Sequence, residues 1–244
     1  GFLYGDAAFE TLRVYGGTIF EWDEHPDRLR QSSETLGFAD ALPADAVLRE
    51  RVDETLAANE LADAYVKLSV TRGVQPGKLT PNPAVDPTIV VYVSPLGRGG
   101  TGGQRVWDEP ATLSTVSQRK PPASALPAGA KTHNYLDSIL ARLELRGTDS
   151  DEAVVLSVDG LLTEGATSNL FFCRDGVLCT PAESVPLLPG ITRDVVLDIA
   201  DEQEIPIETG EYGPECLDEA TEAFVTNSTW EIRPVTAIDD RAYN

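Results

Sequence analysis

Methionine is absent from this sequence, lysine is scarce, and the chain holds only two histidines and three cysteines. Three cysteines cannot form an even disulfide framework, and here they make no C-x-x-C pair. The sequence therefore predicts a reducing environment and no metal site. The missing methionine also predicts that residues are absent in front of Gly1, and we expect the chain to be clipped at Asn244 as well.

Long apolar runs are lacking too. No window approaches the roughly 18 consecutive apolar residues that a membrane-spanning helix needs. The first twenty residues carry Asp6, Glu10 and Arg13, where a secretory signal would have its apolar core. We therefore expect a cytoplasmic protein with no membrane partner. A hydrophobic content of 41% over 244 residues is enough for a real core in one large domain or two smaller ones.

Positive charge is in short supply. The net charge of −21 comes from 40 acidic residues against 19 basic ones, of which only four are lysines. Such a surface repels nucleic acid and anionic membranes, so we expect neither as a partner. Acidic residues in excess, with arginine preferred to lysine, are typical of a protein from a halophile, whose salt screens the self-repulsion. An unusual acidic surface without that adaptation is the alternative.

The spacing of apolar residues predicts an α+β chain in two parts. The first part shows a hairpin within residues 7–22, helices over 25–36 and 45–59, and strands over 65–71 and 88–94. A glycine-rich stretch follows, and beyond it come strands over 104–107, 111–116, 153–158, 169–174, 176–180 and 223–226, with helices over 134–146 and from about 192. We expect a small N-terminal domain (1–96), an interdomain loop (97–104) and a large C-terminal domain (105–244).

A lysine stands where the helix over 134–146 is predicted to begin, in the sequence GAKTHNYL that starts at Gly129. A lysine held in apolar surroundings has a lowered pKa and can attack a carbonyl as a neutral amine. An ordinary surface lysine is the alternative. Because arginine has replaced most lysines in this chain and cannot form a Schiff base, the retention of Lys131 favours the chemical role.

Two further motifs follow the lysine. The sequence TEGATSNLFF, from Thr163, places Glu164 just before an apolar strand, where a carboxylate could keep a pyridine nitrogen protonated. A turn with a solvated glutamate is the alternative. The sequence LPGITRD, from Leu188, opens a helix whose first amides would suit a phosphate. A plain helix start with a threonine cap is the alternative there.

The three motifs occur in this order, with YVKLSVTRG at Tyr65 before them and TNSTWEIRPV at Thr226 after them. Together they resemble the class IV aminotransferases, the fold-type IV enzymes of pyridoxal 5'-phosphate, over nearly the whole chain. That family includes branched-chain and D-amino acid aminotransferases and 4-amino-4-deoxychorismate lyases. The resemblance implies an α+β fold of two domains, like that of D-amino acid aminotransferase, with the cofactor between the domains. It also implies a homodimer.

The resemblance assigns cofactor roles residue by residue. Lys131 would carry the Schiff base and shuttle the proton, and Glu164 would pair with the pyridine nitrogen. A tyrosine that bonds the phenolic oxygen matches Tyr135, although here it follows the lysine by four residues where branched-chain enzymes usually have five. The expected phosphate contacts are Arg72, the amides of Ile191 and Thr192, and the Ser228 hydroxyl.

Substrate residues follow less directly from the same resemblance. Tyr4 and Phe9 match positions that line the side-chain pocket, and Thr229 matches one whose backbone meets the substrate carboxylate. Arg98 falls roughly where D-amino acid aminotransferases place a carboxylate-binding arginine, and a solvated linker arginine is the alternative. Branched-chain enzymes typically have Tyr-x-Arg where this chain has Lys67 as the third residue, so a standard branched-chain site is not implied.

Three functions remain open from the sequence. We favour an aminotransferase that moves an amino group between an amino acid and a 2-oxo acid. The second is a 4-amino-4-deoxychorismate lyase that releases pyruvate and 4-aminobenzoate with the same lysine and cofactor. The third is a passive binder of the cofactor, which the joint presence of Lys131, Glu164 and Arg72 argues against. Release of pyruvate without an amino acceptor separates the first two.

Overall fold

The computed structural model of the chain describes residues 1–74, 79, 86–96 and 109–243. They belong to two compact units. The first consists of Gly1–Gly103 with Ala130–Asn134, and the second of Gln104–Gly129 with Tyr135–Asn244. The expected division gave all of 105–244 to one domain, whereas here the short segment that contains Lys131 packs with the first unit. The expected interdomain loop and the strand over 104–107 lie outside the described residues.

The first unit is an antiparallel sheet of four strands, in the order β2-β1-β3-β4, with two helices packed on it. Its elements are β1 (Ala7–Tyr15), β2 (Thr18–Ile19), α1 (Glu24–Thr35), α2 (Asp45–Ala58), β3 (Ala64–Thr71) and β4 (Ile89–Pro95), with a short 3-10 helix at Ala39–Ala41. The hairpin, both helices and both later strands confirm the pattern that the sequence predicts.

Local chemistry explains the hairpin and the first helix. Gly16 and Gly17 both have positive φ angles, the conformation that a two-residue hairpin turn needs to match the twist of its strands. Gly37, with a φ of 72°, follows the end of α1 as a helix-stopping glycine should. Asp23, which precedes α1, makes no capping hydrogen bond through its side chain. The core of this unit is formed by Leu12, Leu29, Leu48, Val52, Val66 and Leu68, among others.

The second unit holds a mixed sheet of nine strands, in the order β10-β9-β8-β11-β12-β5-β6-β7, with β13 paired to β12. Its strands are β5 (Ala111–Lys120), β6 (Glu152–Ser157), β7 (Leu162–Gly165), β8 (Asn169–Arg174), β9 (Val177–Pro181), β10 (Ile207–Gly210), β11 (Glu222–Asn227), β12 (Glu231–Ile238) and β13 (Arg241–Ala242). Its helices are α3 (Leu136–Glu144) and α4 (Ile191–Glu202), with a 3-10 helix at Pro214–Asp218.

The strand pairs of this sheet are of both kinds, and several of its strands are buried. The pairs β9–β10, β5–β12 and β5–β6 are parallel, and the other pairs are antiparallel. The core contains Leu113, Val154, Leu162, Phe172 and Val225. Because β6, β7 and the start of β8 are almost entirely buried, the polar groups on them need partners inside the protein. Within the described residues, no helix combines the length and apolar character needed to cross a bilayer.

Candidate active site

Lys131 is held by its backbone in the first unit. Its N–H donates to Ser32 Oγ at 2.9 Å, and its carbonyl accepts the N–H of Phe9 at 3.0 Å. The N–H of His133 donates to Ala7 O at 2.9 Å, and Thr132 forms an antiparallel bridge with Ala8. The segment is therefore tied to β1 and α1 by three hydrogen bonds, two of which form the bridge. Such a segment gives the lysine side chain a fixed origin.

The side-chain ammonium groups of two lysines lie over the Phe9 ring. Lys131 Nζ lies 4.8 Å and Lys67 Nζ 4.2 Å from its centroid. The His133 ring meets Phe9 edge to face, and its Nε2 is 3.2 Å from Ser69 Oγ. Burial lowers the pKa of Lys67, and burial and the charge of Lys67 lower the pKa of His133. Phe9 is thus brought together with Lys131, as expected of a site residue.

Arg72, the expected phosphate ligand, is buried in the first unit and already engaged there. Its Nε donates to Asp6 Oδ2 at 2.6 Å, and its Nη2 donates to Asp6 Oδ1 at 3.0 Å and to the carbonyl of Leu36. Its Nη1 lies 3.4 Å from the carbonyl of Gly37. Four of the five N–H groups of a guanidinium are therefore accounted for. A phosphate role for Arg72 stays a prediction; the described residues leave one N–H group for it, on Nη1, and a contact through two N–H groups would require one of these bonds to be exchanged.

A second buried arginine in this unit was missed by the sequence reasoning. Arg28 Nε donates to Glu10 Oε1 at 2.9 Å and its Nη2 to Glu10 Oε2 at 2.6 Å, while His25 Nδ1 is 2.7 Å from the same Oε2. Burial raises the pKa of Glu10, but Arg28 and His25 outweigh it and lower the pKa to about 2. The i, i+3 spacing of His25 and Arg28 on one helix face was the available signal.

Glu164 stands at the centre of the polar groups in the second unit. It lies on β7 and is 6% exposed. Its Oε2 accepts the N–H of Leu188 at 3.1 Å and lies 3.3 Å from Asn169 Nδ2. Its Oε1 lies 2.8 Å from Lys120 Nζ. The turn with a solvated glutamate, the alternative from the sequence, is wrong, because this carboxylate is buried and bonded.

The loop that carries Leu188 leads directly into α4. Asn169 Nδ2 also donates to the carbonyl of Leu188 at 2.9 Å, and a Cβ on Gly190 would come 2.1 Å from Asn169 Oδ1. Gly190 is the N-cap of α4 and no side chain caps the helix, so the threonine cap considered from the sequence is not formed. The amides of Ile191 and Thr192 therefore open the helix as an anion-binding end would.

The turn after β11 contains the two remaining expected residues of this unit, Ser228 and Thr229. Asn227 Oδ1 accepts the N–H of Thr229 at 2.9 Å and that of Trp230 at 2.7 Å. The Thr229 hydroxyl donates to the same oxygen. The Thr229 amide is thus occupied, and its expected contact with a substrate carboxylate stays a prediction. Ser228 is partly exposed at the tip of this turn.

The other expected residues are placed as follows. Tyr135 directly precedes α3, as its N-cap residue, in the second unit. Tyr4 is 50% exposed near the start of the first unit. Arg98 lies outside the described residues. Lys120, which the sequence reasoning used only in counting lysines, is the partner of Glu164, and no sequence signal links two residues so far apart.

Comparison with known proteins identifies the family. Residues 7–238 match the family described as Amino-transferase class IV. The chain belongs to the class IV aminotransferases. It is 37% identical over its full length to a Methanocaldococcus jannaschii protein assigned by name to the branched-chain-amino-acid aminotransferases, covering 82% of that protein. It is 31% identical, also over its full length, to the aminodeoxychorismate lyase of Bacillus subtilis, covering 81%.

A solved structure supports the fold of this class IV aminotransferase. The branched-chain aminotransferase of the thermophilic archaeon Thermoproteus uzoniensis, solved with norvaline, is similar with a TM-score of 0.90 and 31% identity. The match covers 99% of this chain and 80% of that one. The expected α+β fold and the family are confirmed, and the protein is a pyridoxal-phosphate-dependent transaminase of class IV.

The donor set of the second unit fits that cofactor. Glu164 offers a buried carboxylate for a protonated ring nitrogen, and the start of α4 offers amides for a phosphate. Hydrogen bonds of Asn169 and Leu188 connect Glu164 to the loop that leads into α4. Nearby, Ser168 Oγ and Thr226 Oγ1 are buried with no hydrogen-bond partner in the described part of the chain. Buried hydroxyls without partners are what a polar ligand would satisfy.

Proposed function

We propose that this protein transfers an amino group from an amino acid to a 2-oxo acid, with Lys131 as the residue that holds pyridoxal phosphate and moves the proton. The observation that carries the proposal is the bonding of Glu164 and Asn169 to Leu188, in the loop that leads into α4. One part of the second unit thereby presents a carboxylate and a set of helix amides. A ligand with a protonated ring nitrogen and a phosphate group needs both.

Each residue of the candidate site has a defined role in this proposal. Bound pyridoxal phosphate supplies an electron-poor ring that takes up the electron pair left when the α-carbon of an amino acid loses its proton. The Lys131 amine accepts that proton and returns it during the exchange. Glu164 holds a proton on the ring nitrogen through its carboxylate. The amides of Ile191 and Thr192, with Ser228, bind the phosphate in the second unit.

The role of Lys131 is tested by borohydride reduction of the protein loaded with pyridoxal phosphate. Reduction links the cofactor covalently to the lysine that holds it, and peptide mass spectrometry identifies that lysine. We expect the label on Lys131 and its loss in Lys131→Arg. Lys67→Arg is the matched control, because Lys67 lies over the same Phe9 ring. A label on Lys67, or one that persists in Lys131→Arg, would overturn the assignment.

The amino donor is tested by adding single amino acids to the loaded protein and following its visible absorption band. The names of the relatives favour L-branched-chain amino acids as donors, and we propose these first. L-Glutamate and D-alanine complete the panel, because they distinguish the donor class and its stereochemistry. Conversion by one class alone assigns the substrate. If no amino acid changes the band, amino transfer is contradicted.

The second candidate is 4-amino-4-deoxychorismate lyase. It is favoured by the full-length match to the Bacillus subtilis lyase and by the same cofactor residues. Incubation with 4-amino-4-deoxychorismate and no 2-oxo acid separates the two functions. Pyruvate and 4-aminobenzoate would form with a lyase, whereas a transaminase needs an amino acceptor for continued turnover.

The proposal extends to a homodimer. Four residues spaced as one helical face on α3 are apolar and exposed, namely Leu136, Ile139, Leu140 and Leu143, with exposures of 67, 55, 41 and 41%. An exposed apolar face of this kind marks an interaction surface, and we assign a second copy of the chain to it. Ile139→Asp with Leu143→Asp should yield a monomer in sedimentation. Val158→Asp, at another exposed position, should not.

The setting of the activity follows from composition. An excess of acidic residues and three free cysteines support our proposal that the enzyme works in a reducing, salt-rich cytoplasm. Assay of the purified protein across potassium chloride concentrations tests the salt component. Highest activity at low salt would contradict it.

A further inference from the structure

Lys120 occupies a position that the proposed mechanism does not use. It is the last residue of β5, and its side chain is only 13% exposed. Its Nζ lies 2.8 Å from Glu164 Oε1 and 3.5 Å from Asp137 Oδ2, in the first turn of α3. One ammonium group therefore binds two carboxylates that come from different elements of the second unit.

The cation in this cluster is permanent under ordinary conditions. Burial lowers the pKa of Lys120, but the charge and hydrogen bond of Glu164, together with the charge of Asp137, outweigh it and raise the pKa above its ordinary value. The three groups thus carry one positive and two negative charges. The net charge of −1 is what a single protonated ring nitrogen would neutralise.

The hydrogen bonds of Glu164 show which oxygen is available for such a nitrogen. A carboxylate oxygen has about two acceptor positions. Oε2 uses both, for the Leu188 N–H and the Asn169 amide. Among the described residues, Oε1 has Lys120 as its one bonded partner. The remaining acceptor position is therefore on the oxygen that Lys120 holds.

Removing the ammonium group would change the charge state of the cluster. Without a cation between them, the two carboxylates repel each other, and this repulsion favours protonation of one of them. Glu164 would then lose part of the negative charge that a ring nitrogen needs. The charge of Asp137 causes this loss. With Lys120 in place, the ammonium group balances that charge.

We propose that Lys120 is a positioning residue, which fixes Oε1 of Glu164 and balances Asp137 so that Glu164 keeps its negative charge for the ring nitrogen of the cofactor. The inference rests on the proposed function of Glu164 and deepens it. Both ion-pair partners of Lys120 are carboxylates, and one of them is Glu164 itself. Substitution of Lys120 should therefore affect only the interactions of the ring nitrogen.

The test compares two ligands that differ at that nitrogen alone. Pyridoxal phosphate and its 1-deaza analogue, which has carbon in place of the ring nitrogen, share the aldehyde and the phosphate, so those contributions cancel in the ratio of their dissociation constants. The ratio is measured on the full chain after removal of bound cofactor. It reports the Glu164 interaction and does not depend on turnover.

In Lys120→Gln we expect the preference for pyridoxal phosphate over the analogue to fall about tenfold, the equivalent of one pKa unit. Lys120→Arg retains the charge and should keep most of the preference. Adding Asp137→Asn to Lys120→Gln restores a single carboxylate and a net charge of −1, so the double variant should recover the preference. Asp137→Asn alone leaves Glu164 fully balanced by Lys120, at a net charge of zero, so it should lower the preference. Thermal melting of each variant verifies that it is folded.

The outcomes separate this inference from the function on which it rests. The role of Lys120 would be overturned by an unchanged ligand preference in Lys120→Gln, or by a loss of preference that the added Asp137→Asn does not reverse. The proposed role of Glu164 would stand in either case. If wild type shows no preference and Glu164→Gln changes nothing, the pairing of Glu164 with the ring nitrogen itself is wrong. In that event both proposals fail together.

Discussion

Glu10 in the first unit and Glu164 in the second are both buried carboxylates on strands, and both accept bonds from a buried cation. They differ in how their charge is balanced. Glu10 meets the planar fork of Arg28, which bonds both of its oxygens, and the ring of His25. Glu164 shares the point charge of Lys120 with Asp137. A balanced pair fixes structure, whereas a cluster with negative charge to spare can bind a cationic ligand.

The largest expected effect tests this contrast by removing each charge in turn. Glu10→Gln leaves the Arg28 guanidinium buried without this counter-ion, and we expect unfolding to become easier by about 3 to 5 kcal/mol. Glu164→Gln leaves Lys120 paired with Asp137 and should cost less, about 1 to 2 kcal/mol. Guanidinium denaturation of the cofactor-free proteins measures both. Equal losses would remove the distinction between a structural and a functional carboxylate.

Acid titration sharpens the same comparison. The pKa of Glu10 lies at about 2 in the folded chain, below its ordinary value of 4.5, so its contribution is fully present above about pH 4.5 and is lost as the pH falls toward 2. The shift corresponds to about 3 kcal/mol. Denaturation midpoints measured between pH 6 and 3 should fall less steeply in Glu10→Gln than in wild type. Parallel pH profiles would show that Glu10 carries no such stabilisation.

The phosphate contact offers a comparison within the first unit. Arg72 and Arg28 are both buried and each binds a carboxylate through two N–H groups. If Arg72 binds the phosphate, Arg72→Lys should weaken binding of pyridoxal phosphate roughly tenfold, because a bidentate charge-assisted contact is lost. Binding of pyridoxal, which has no phosphate, should not change. A larger loss in Arg28→Lys would move the phosphate role to Arg28.

The sequence predicts the regular elements and the chemical motifs but not their partners. The hairpin, the helices and most strands are visible because glycine turns and apolar periodicity are local properties. The strands β7, β10, β12 and β13 were missed, since they are short or lack a clear alternation and form only by pairing with distant strands. Lys131 and Glu164 were identified by their neighbours in sequence.

The partners of the charged groups were beyond reach for a different reason. Glu164 and Lys120, like Arg72 and Asp6, are distant along the chain and meet only through the sheet pairings. A charged residue in sequence carries no mark of whether its bonds are already taken. Arg72 was expected to bind phosphate for its motif alone, and its engagement with Asp6, Leu36 and Gly37 appears only in three dimensions.

The smallest expected effect is that of salt on the free energy of unfolding. Salt should act on the net charge of the whole protein more than on the buried charges around Glu10 or Glu164. The net charge of −21 repels itself at low ionic strength, and the screening length falls from about 10 Å at 0.1 M to about 3 Å at 1 M salt. Raising potassium chloride across that range should therefore stabilise the wild type, by on the order of 1 kcal/mol. The Glu10–Arg28 pair is shielded from ions by burial, so the difference between wild type and Glu10→Gln should stay constant across the range. Stability that does not respond to salt would contradict the halophilic interpretation, whereas a difference that shrinks with salt would show that the Glu10 cluster is open to solvent.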